Sequence, residues 1–156
     1  MITYLNKDIT HLDMGIICHG VNCQHAMGSG VAGAIKKKWP IVYEHFMGQP
    51  KGAAMLGVAS MVPIYENDSL FIANCYTQNF YGYGGGRYAS VDAIRKSITQ
   101  VLMSGDYYSL PVYMPKIGCG LGGLDWETEV EPVIISLNTF FDRVNLFVCE
   151  LGEQDE

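Results

Sequence analysis

The chain has 156 residues, 49% of them hydrophobic and 17% charged, with a formal net charge of −6. That composition suits one globular domain with its own core and excludes a disordered chain, which has few apolar residues and high charge. No apolar run reaches the roughly 18 residues of a membrane span, and the N-terminal residues lack the basic stretch and apolar run of a secretory leader.

In chain order, Met1–Leu5 reads as a first strand. Gly15–Cys18 is short, apolar and β-branched, the pattern of a buried strand. Gly30–Lys38 reads as a helix: Val31, Ala34 and Ile35 share a face, and the lysines fall at the C-terminal end, where cations suit the helix dipole. Pro40 ends that helix and opens another turn through Phe46. Leu56–Val62 and Leu70–Cys75 read as strands joined by the turn Glu66–Ser69. Ser90–Met103 is a helix with Val91, Ile94, Ile98, Val101 and Leu102 at helical spacing and Ser90 as its cap. Val112–Met114 is a short strand, Glu127–Phe141 a helical stretch interrupted early by Pro132, and Val144–Cys149 the last strand. Glu153–Glu156 is a short acidic tail after a domain spanning residues 1–152.

The order β-β-α-β-β-α-β-α-β predicts a layered α/β domain. The consecutive strands at 56–75 predict a hairpin, hence a mixed sheet. Five cysteines (Cys18, Cys23, Cys75, Cys119, Cys149), odd in number and irregular in spacing, point to reduced thiols in a cytoplasmic protein rather than a disulfide framework. The strongest basic run, Lys36–Lys38, is short, which argues against stable nucleic-acid binding. Nothing in the sequence indicates an oligomeric state.

The 18 glycines exceed the usual share of roughly 7%, and they cluster. The first cluster runs from His19 to Ile35, after a strand and into a helix, with Gly28, Ser29 and Gly30 where the helix begins. The second, Pro115–Trp126, also follows a strand and precedes a helix. Small residues at such places let a ligand approach backbone N–H groups, and a helix N-terminus favours anions. Two such loops at one end of a sheet would flank a crevice, the usual ligand position in open α/β sheets. Neither is a Walker loop, and neither fits the dinucleotide fingerprint of a first βα unit. A third cluster, Phe80–Tyr88, mixes glycines with aromatics as a mobile lid would, with Tyr81 the chosen contact and Arg87 within reach of a terminal phosphate.

Together the two loops resemble the macro domain family, whose members bind ADP-ribose. Lys7-Asp8-Ile9-Thr10 is similar to the family's early Gly-Asp-Ile-Thr, with Lys for Gly. Gly28–Ile35 resembles its loop-to-helix segment, and Ile117–Gly122 its second phosphate loop. The resemblance covers most of the chain and implies a single three-layer α/β/α domain with a mixed central sheet. It implies that Asp8, with Ile9 beside it, holds the adenine amino group. It places Gly28, Ser29, Gly30, Val31 and Ala32 around the distal ribose and diphosphate, with Gly118, Cys119, Gly120, Leu121 and Gly122 facing them.

Asn22-Cys-Gln-His25 departs from the family's common Asn-Ala-Ala-Asn. His19–Cys23 and Gly118–Trp126 look more like a smaller branch. That branch holds ADP-ribose 1″-phosphate phosphatases of yeast and bacteriophage type and a glycohydrolase that removes ADP-ribose from acidic side chains. The glycohydrolase's Lys and Asp fall at Gln78 and Gly122 here, so the lysine-dependent route lacks both groups. The expected activity is therefore hydrolysis of ADP-ribose 1″-phosphate to ADP-ribose and phosphate. The alternatives are removal of ADP-ribose from macromolecules and ADP-ribose binding without turnover.

Phosphate monoester hydrolysis needs a positioned water, a proton for the leaving oxygen and stabilised phosphoryl charge. His19 either serves as acid or base or only bonds the loop backbone. Asp125 either orients water or His19, or caps the helix after Trp126, or does both. Asn22 is placed to bond the distal ribose hydroxyls. His25 is the weaker candidate, and His11 and His45 read as surface residues. Cys18, Cys23 and His25 lack a partner pair at zinc spacing, so no metal is expected, and no cofactor.

Overall fold

A computed structural model describes residues 2–150. Within them, six strands and four helices alternate: β1 (Ile2–Asn6), β2 (Gly15–Asn22), α1 (Gly30–Lys38), α2 (Pro40–Met47), β3 (Ala59–Pro63), β4 (Leu70–Gln78), α3 (Val91–Tyr108), β5 (Val112–Met114), α4 (Glu131–Phe140) and β6 (Leu146–Glu150). The strands form one sheet in the order β1-β6-β5-β2-β4-β3. Every pair is parallel except β3–β4. The hairpin expected over 56–75 is thus what makes the sheet mixed. Its turn is held by the Asn67 side chain, which accepts from the Ser69 N–H at 2.9 Å.

Strand alternation sends neighbouring residues to opposite layers. Ile16 and Cys18 of β2 pack with Ile94, Ile98 and Leu102 of α3 and Ile134 of α4. Ile17 turns the other way, to Ile35 of α1 and Val42 of α2. Apolar clusters on both faces, with a third around Val21, Phe46 and Tyr76, give the three-layer α/β/α arrangement, and central strands buried on both faces read as the continuous apolar runs seen in the sequence.

Several boundaries differ from expectation. β2 continues to Asn22 rather than stopping at Cys18, because β4 pairs with it from Gly15↔Leu70 through Asn22↔Gln78. His19 therefore sits in a strand, not in the glycine loop. β4 lengthens for the same reason. β3 is shorter: Leu56 and Gly57 follow a 3₁₀ turn at Ala53–Met55, and Gly57 has φ +88°. Ser90 caps α3 as expected, accepting from the Ala93 N–H at 3.1 Å. The helix outruns Met103 and ends at Ser109 in the left-handed region. Pro132 does not interrupt a helix; it occupies the first turn of α4, after a π-helical turn over Trp126–Val130. Met1 and the tail at 153–156 lie outside the described residues. No helix among the described residues is long and apolar enough to cross a membrane.

Candidate ligand-binding site

The parallel strands β2, β4 and β5 all end at one edge of the sheet, and the loops that follow them surround a cavity of about 510 Å³. This lies within the 300–1,000 Å³ usual for small-molecule sites. One wall is the loop entering α1: Gly28, Ser29, Gly30, Val31 and Ala32. The facing wall is Gly118, Cys119, Gly120, Leu121 and Gly122, after β5. Tyr81, Gly82 and Tyr83 of the third glycine cluster stand at the mouth, where the Tyr83 and Ser29 hydroxyls meet at 2.9 Å. The far end of that cluster is fastened to the second loop, with the Tyr88 and Ala89 N–H groups donating to the Gly122 carbonyl. The aromatic segment thus spans the two glycine loops.

Asn22 lines the cavity, but its amide organises the loop. Its Oδ1 accepts from the N–H groups of Gln24 and Ala26, and its Nδ2 donates to the Ala26 carbonyl at 2.7 Å. One Nδ2 hydrogen remains for a ligand. Cys119 donates to the Ile117 carbonyl at 3.3 Å, and burial pushes its thiol up to about 11, so it stays neutral.

Among the described residues no carboxylate lines the cavity, and the one charged side chain in its wall is Lys116, paired to Glu150 at 3.0 Å. The wall is therefore mostly small and apolar residues with a few neutral polar side chains. Among the described residues, no group of three or more His, Cys, Asp or Glu side chains is placed to hold a metal ion.

His19 is fully buried and is not part of the cavity wall. Its Nε2 lies 2.6 Å from Asn74 Oδ1, on the register partner in β4, and burial pushes its pKa down to about 4. Alternation turns it toward the α1/α2 layer, under the cavity floor. Asp125 is exposed and serves as the cap the sequence allowed: its carboxylate accepts from the Thr128 N–H at 2.9 Å and hydroxyl at 2.6 Å. Those bonds hold its carboxyl below the usual range. Asp8 caps the 3₁₀ turn Ile9–His11 through the Thr10 N–H and hydroxyl. Asp8 and Ile9 lie outside the cavity wall. Arg87 does not reach the cavity, because Glu129 holds both ends of its guanidinium at 3.0 and 2.6 Å. His45 is half-buried rather than at the surface, its Nε2 2.7 Å from Ser60 Oγ. His11 is exposed, and His25 sits 2.8 Å from the Gln49 carbonyl.

The structure also brings in residues that were not singled out as contacts: Gly20 on β2 and Tyr83, which lie inside the marked clusters, and Thr77 and Gln78 at the end of β4. The available signal for Thr77 and Gln78 was their place at the C-terminal end of a central parallel strand. Gln78 and Gly122, where the resemblance put the missing Lys and Asp, both face the cavity.

A macro domain family model matches residues 18–133, and the chain belongs to the macro domain family. An ADP-ribose 1″-phosphate phosphatase from Debaryomyces hansenii is 26% identical over 182 residues, covering 96% of this chain and all of that one. A DNA ADP-ribosyl glycohydrolase from Mycobacterium tuberculosis is 30% identical over 138 residues, 87% of this chain but 38% of that enzyme. Among solved structures, Thermosipho africanus DarTG in complex with ADP-ribose superposes with a TM-score of 0.77 at 17% identity, covering 99% of this chain and 42% of that one.

Proposed function

We propose that this protein binds ADP-ribose between its two glycine loops and hydrolyses the 1″-phosphate of ADP-ribose 1″-phosphate. The observation that carries the reading is the cavity itself: two facing loops of small residues and, among the described residues, no carboxylate and one paired lysine. A diphosphate there is met by backbone N–H groups rather than by cations, which suits an anionic ligand in an acidic protein. The Debaryomyces hansenii phosphatase supports the reaction, and the Thermosipho africanus complex supports the ligand. Asp8 and Ile9, at the β1 edge, take the adenine end in this proposal, as the resemblance implies.

In the same proposal the phosphate, the distal ribose and a water are held in line, and the loop N–H groups stabilise phosphoryl charge. His19 and Asp125 act on the loops, not on the reacting atoms. His19 ties β2 to β4 under the floor through Asn74, and Asp125 fixes the turn after the second loop. The proposed domain spans residues 1–152 with 153–156 as a tail, and the free cysteines favour a cytoplasmic setting. Removal of ADP-ribose from nucleic acid, the activity named for the 30% identical relative, is the second reading. Gln78 and Gly122 leave it without the lysine and carboxylate of the branch.

The test is incubation with ADP-ribose 1″-phosphate without added metal, with products separated by anion exchange. Conversion to ADP-ribose and phosphate is expected. Absence of conversion at high protein concentration, with ADP-ribose binding intact, would leave a binding module.

A further inference from the structure

We infer that Thr77 contacts the substrate directly, its hydroxyl donating a hydrogen bond to the 1″-oxygen of the distal ribose. This rests on the ADP-ribose reading above.

Thr77 is the penultimate residue of β4 and lines the cavity, yet only 1% of it is exposed. It lies on the sheet face of Ala73 and Cys75, opposite to His19 and Asn74. The β2 strand makes room for it. A Cβ built on Gly20 would fall 2.7 Å from Thr77 Oγ1 and 3.5 Å from Ile117 Cγ1. Any other residue at position 20 would occupy the space into which this hydroxyl projects.

Among the described residues no hydrogen bond engages this hydroxyl, and it is not one of the polar atoms sealed off from the cavity and solvent. The other polar side chains of the inner wall are engaged wholly or in part: Asn22 with its own loop except for one Nδ2 hydrogen, Ser29 with Tyr83, Gln78 with the Phe80 carbonyl, and Lys116 with Glu150. Tyr81 stands exposed at the mouth. A nearly buried hydroxyl left without a partner costs stability, whereas one aimed at a bound oxygen gains a bond when the ligand arrives.

Sheet order says which end of the ligand it meets. Asp8, the adenine-end residue, follows β1 at one edge, and β4 lies beyond β6, β5 and β2. Four strand spacings of about 4.8 Å separate β1 from β4 by roughly 19 Å. The group over Thr77 is therefore the end of the ligand farthest from adenine, the distal ribose and its 1″-oxygen.

In the reaction, water oxygen forms the new P–O bond as the bond from phosphorus to the 1″-oxygen breaks. The electron pair of the broken bond goes to the 1″-oxygen, which ends with a proton from the attacking water. Thr77 donates a hydrogen bond to that oxygen as charge develops on it and is itself unchanged.

The test compares wild type with Thr77→Ser and Thr77→Val, adding Thr77→Ala in case the valine variant fails to fold. Thermal unfolding of each variant verifies the fold. The expected result is a fall in kcat of about 10- to 100-fold for Val or Ala, with KM little changed and Ser within about threefold of wild type. Wild-type kcat in Val or Ala would overturn the inference. So would a folded Ser variant as impaired as Val. If wild type hydrolyses nothing, the phosphatase reading fails by itself, and calorimetry with ADP-ribose and ADP decides about Thr77. Loss of the preference for ADP-ribose over ADP in Val or Ala, retained in Ser, supports the contact. An equal preference in all variants, or none in wild type, overturns it.

Discussion

His19 makes the fold sensitive to mild acid in a way that can be worked out. Its ring is fully buried, and burial lowers its pKa from 6.5 to about 4, outweighing the Asn74 bond, which raises it. The unfolded chain therefore binds a proton that the native state refuses between those values. The sign is opposite to that of a histidine stabilised by a carboxylate: stability is complete above about pH 6.5 and declines as pH falls toward 4. With those two values, linkage gives a loss of about 2 kcal/mol at pH 5 and about 3 kcal/mol once both states are protonated. Urea unfolding of wild type and His19→Gln at pH 7.5, 6.0 and 5.0 reads this directly. Glutamine at position 19 can still meet the Asn74 amide but does not titrate. The wild-type midpoint should fall between pH 7.5 and 5.0 by the equivalent of about 2 kcal/mol more than that of the variant. Parallel pH dependence in the two proteins would refute the buried neutral imidazole. A residue that titrated in contact with substrate would instead show itself in the pH–rate profile.

Arg87→Ala should leave both turnover and stability close to wild type, because its guanidinium is committed to Glu129 in an exposed pair; a large loss of phosphate turnover would place Arg87 in the cavity after all. Asp125→Ala should lower the melting temperature by a few degrees and Asp125→Asn should largely restore it, since asparagine also caps; a turnover loss in both with no thermal shift would give the carboxylate a chemical role. Gly123→Ala should destabilise by about 2–4 kcal/mol in chemical denaturation. Gly123 has φ +84°, and a Cβ there would run into the Gly86 carbonyl oxygen; a neutral result would mean that the glycine loop and the aromatic segment are not packed together.

Much of this protein was legible in its sequence because it is local chemistry. The apolar runs of β2 and β4, the helical spacing of Ile94, Ile98, Val101 and Leu102, and the caps at Ser90 and Asp125 depend on neighbours within a turn or two. The two glycine loops were legible for the same reason: each joins a strand to a helix and carries its cavity-lining backbone within a few residues. Tertiary structure decided what those pieces do to one another. Pairing with β4 carries β2 four residues past its expected end, and alternation then turns His19 away from the cavity and into a bond with Asn74, 55 positions distant. Glu129, 42 positions from Arg87, takes the cation that the sequence offered to phosphate. The bare backbone of Gly20 leaves room for the Thr77 hydroxyl at the cavity, a placement set by the pairing of β2 with β4. Spacing along a chain specifies which residues share a face, but the direction of a strand residue and the partner of a long side chain depend on register and packing set by distant segments.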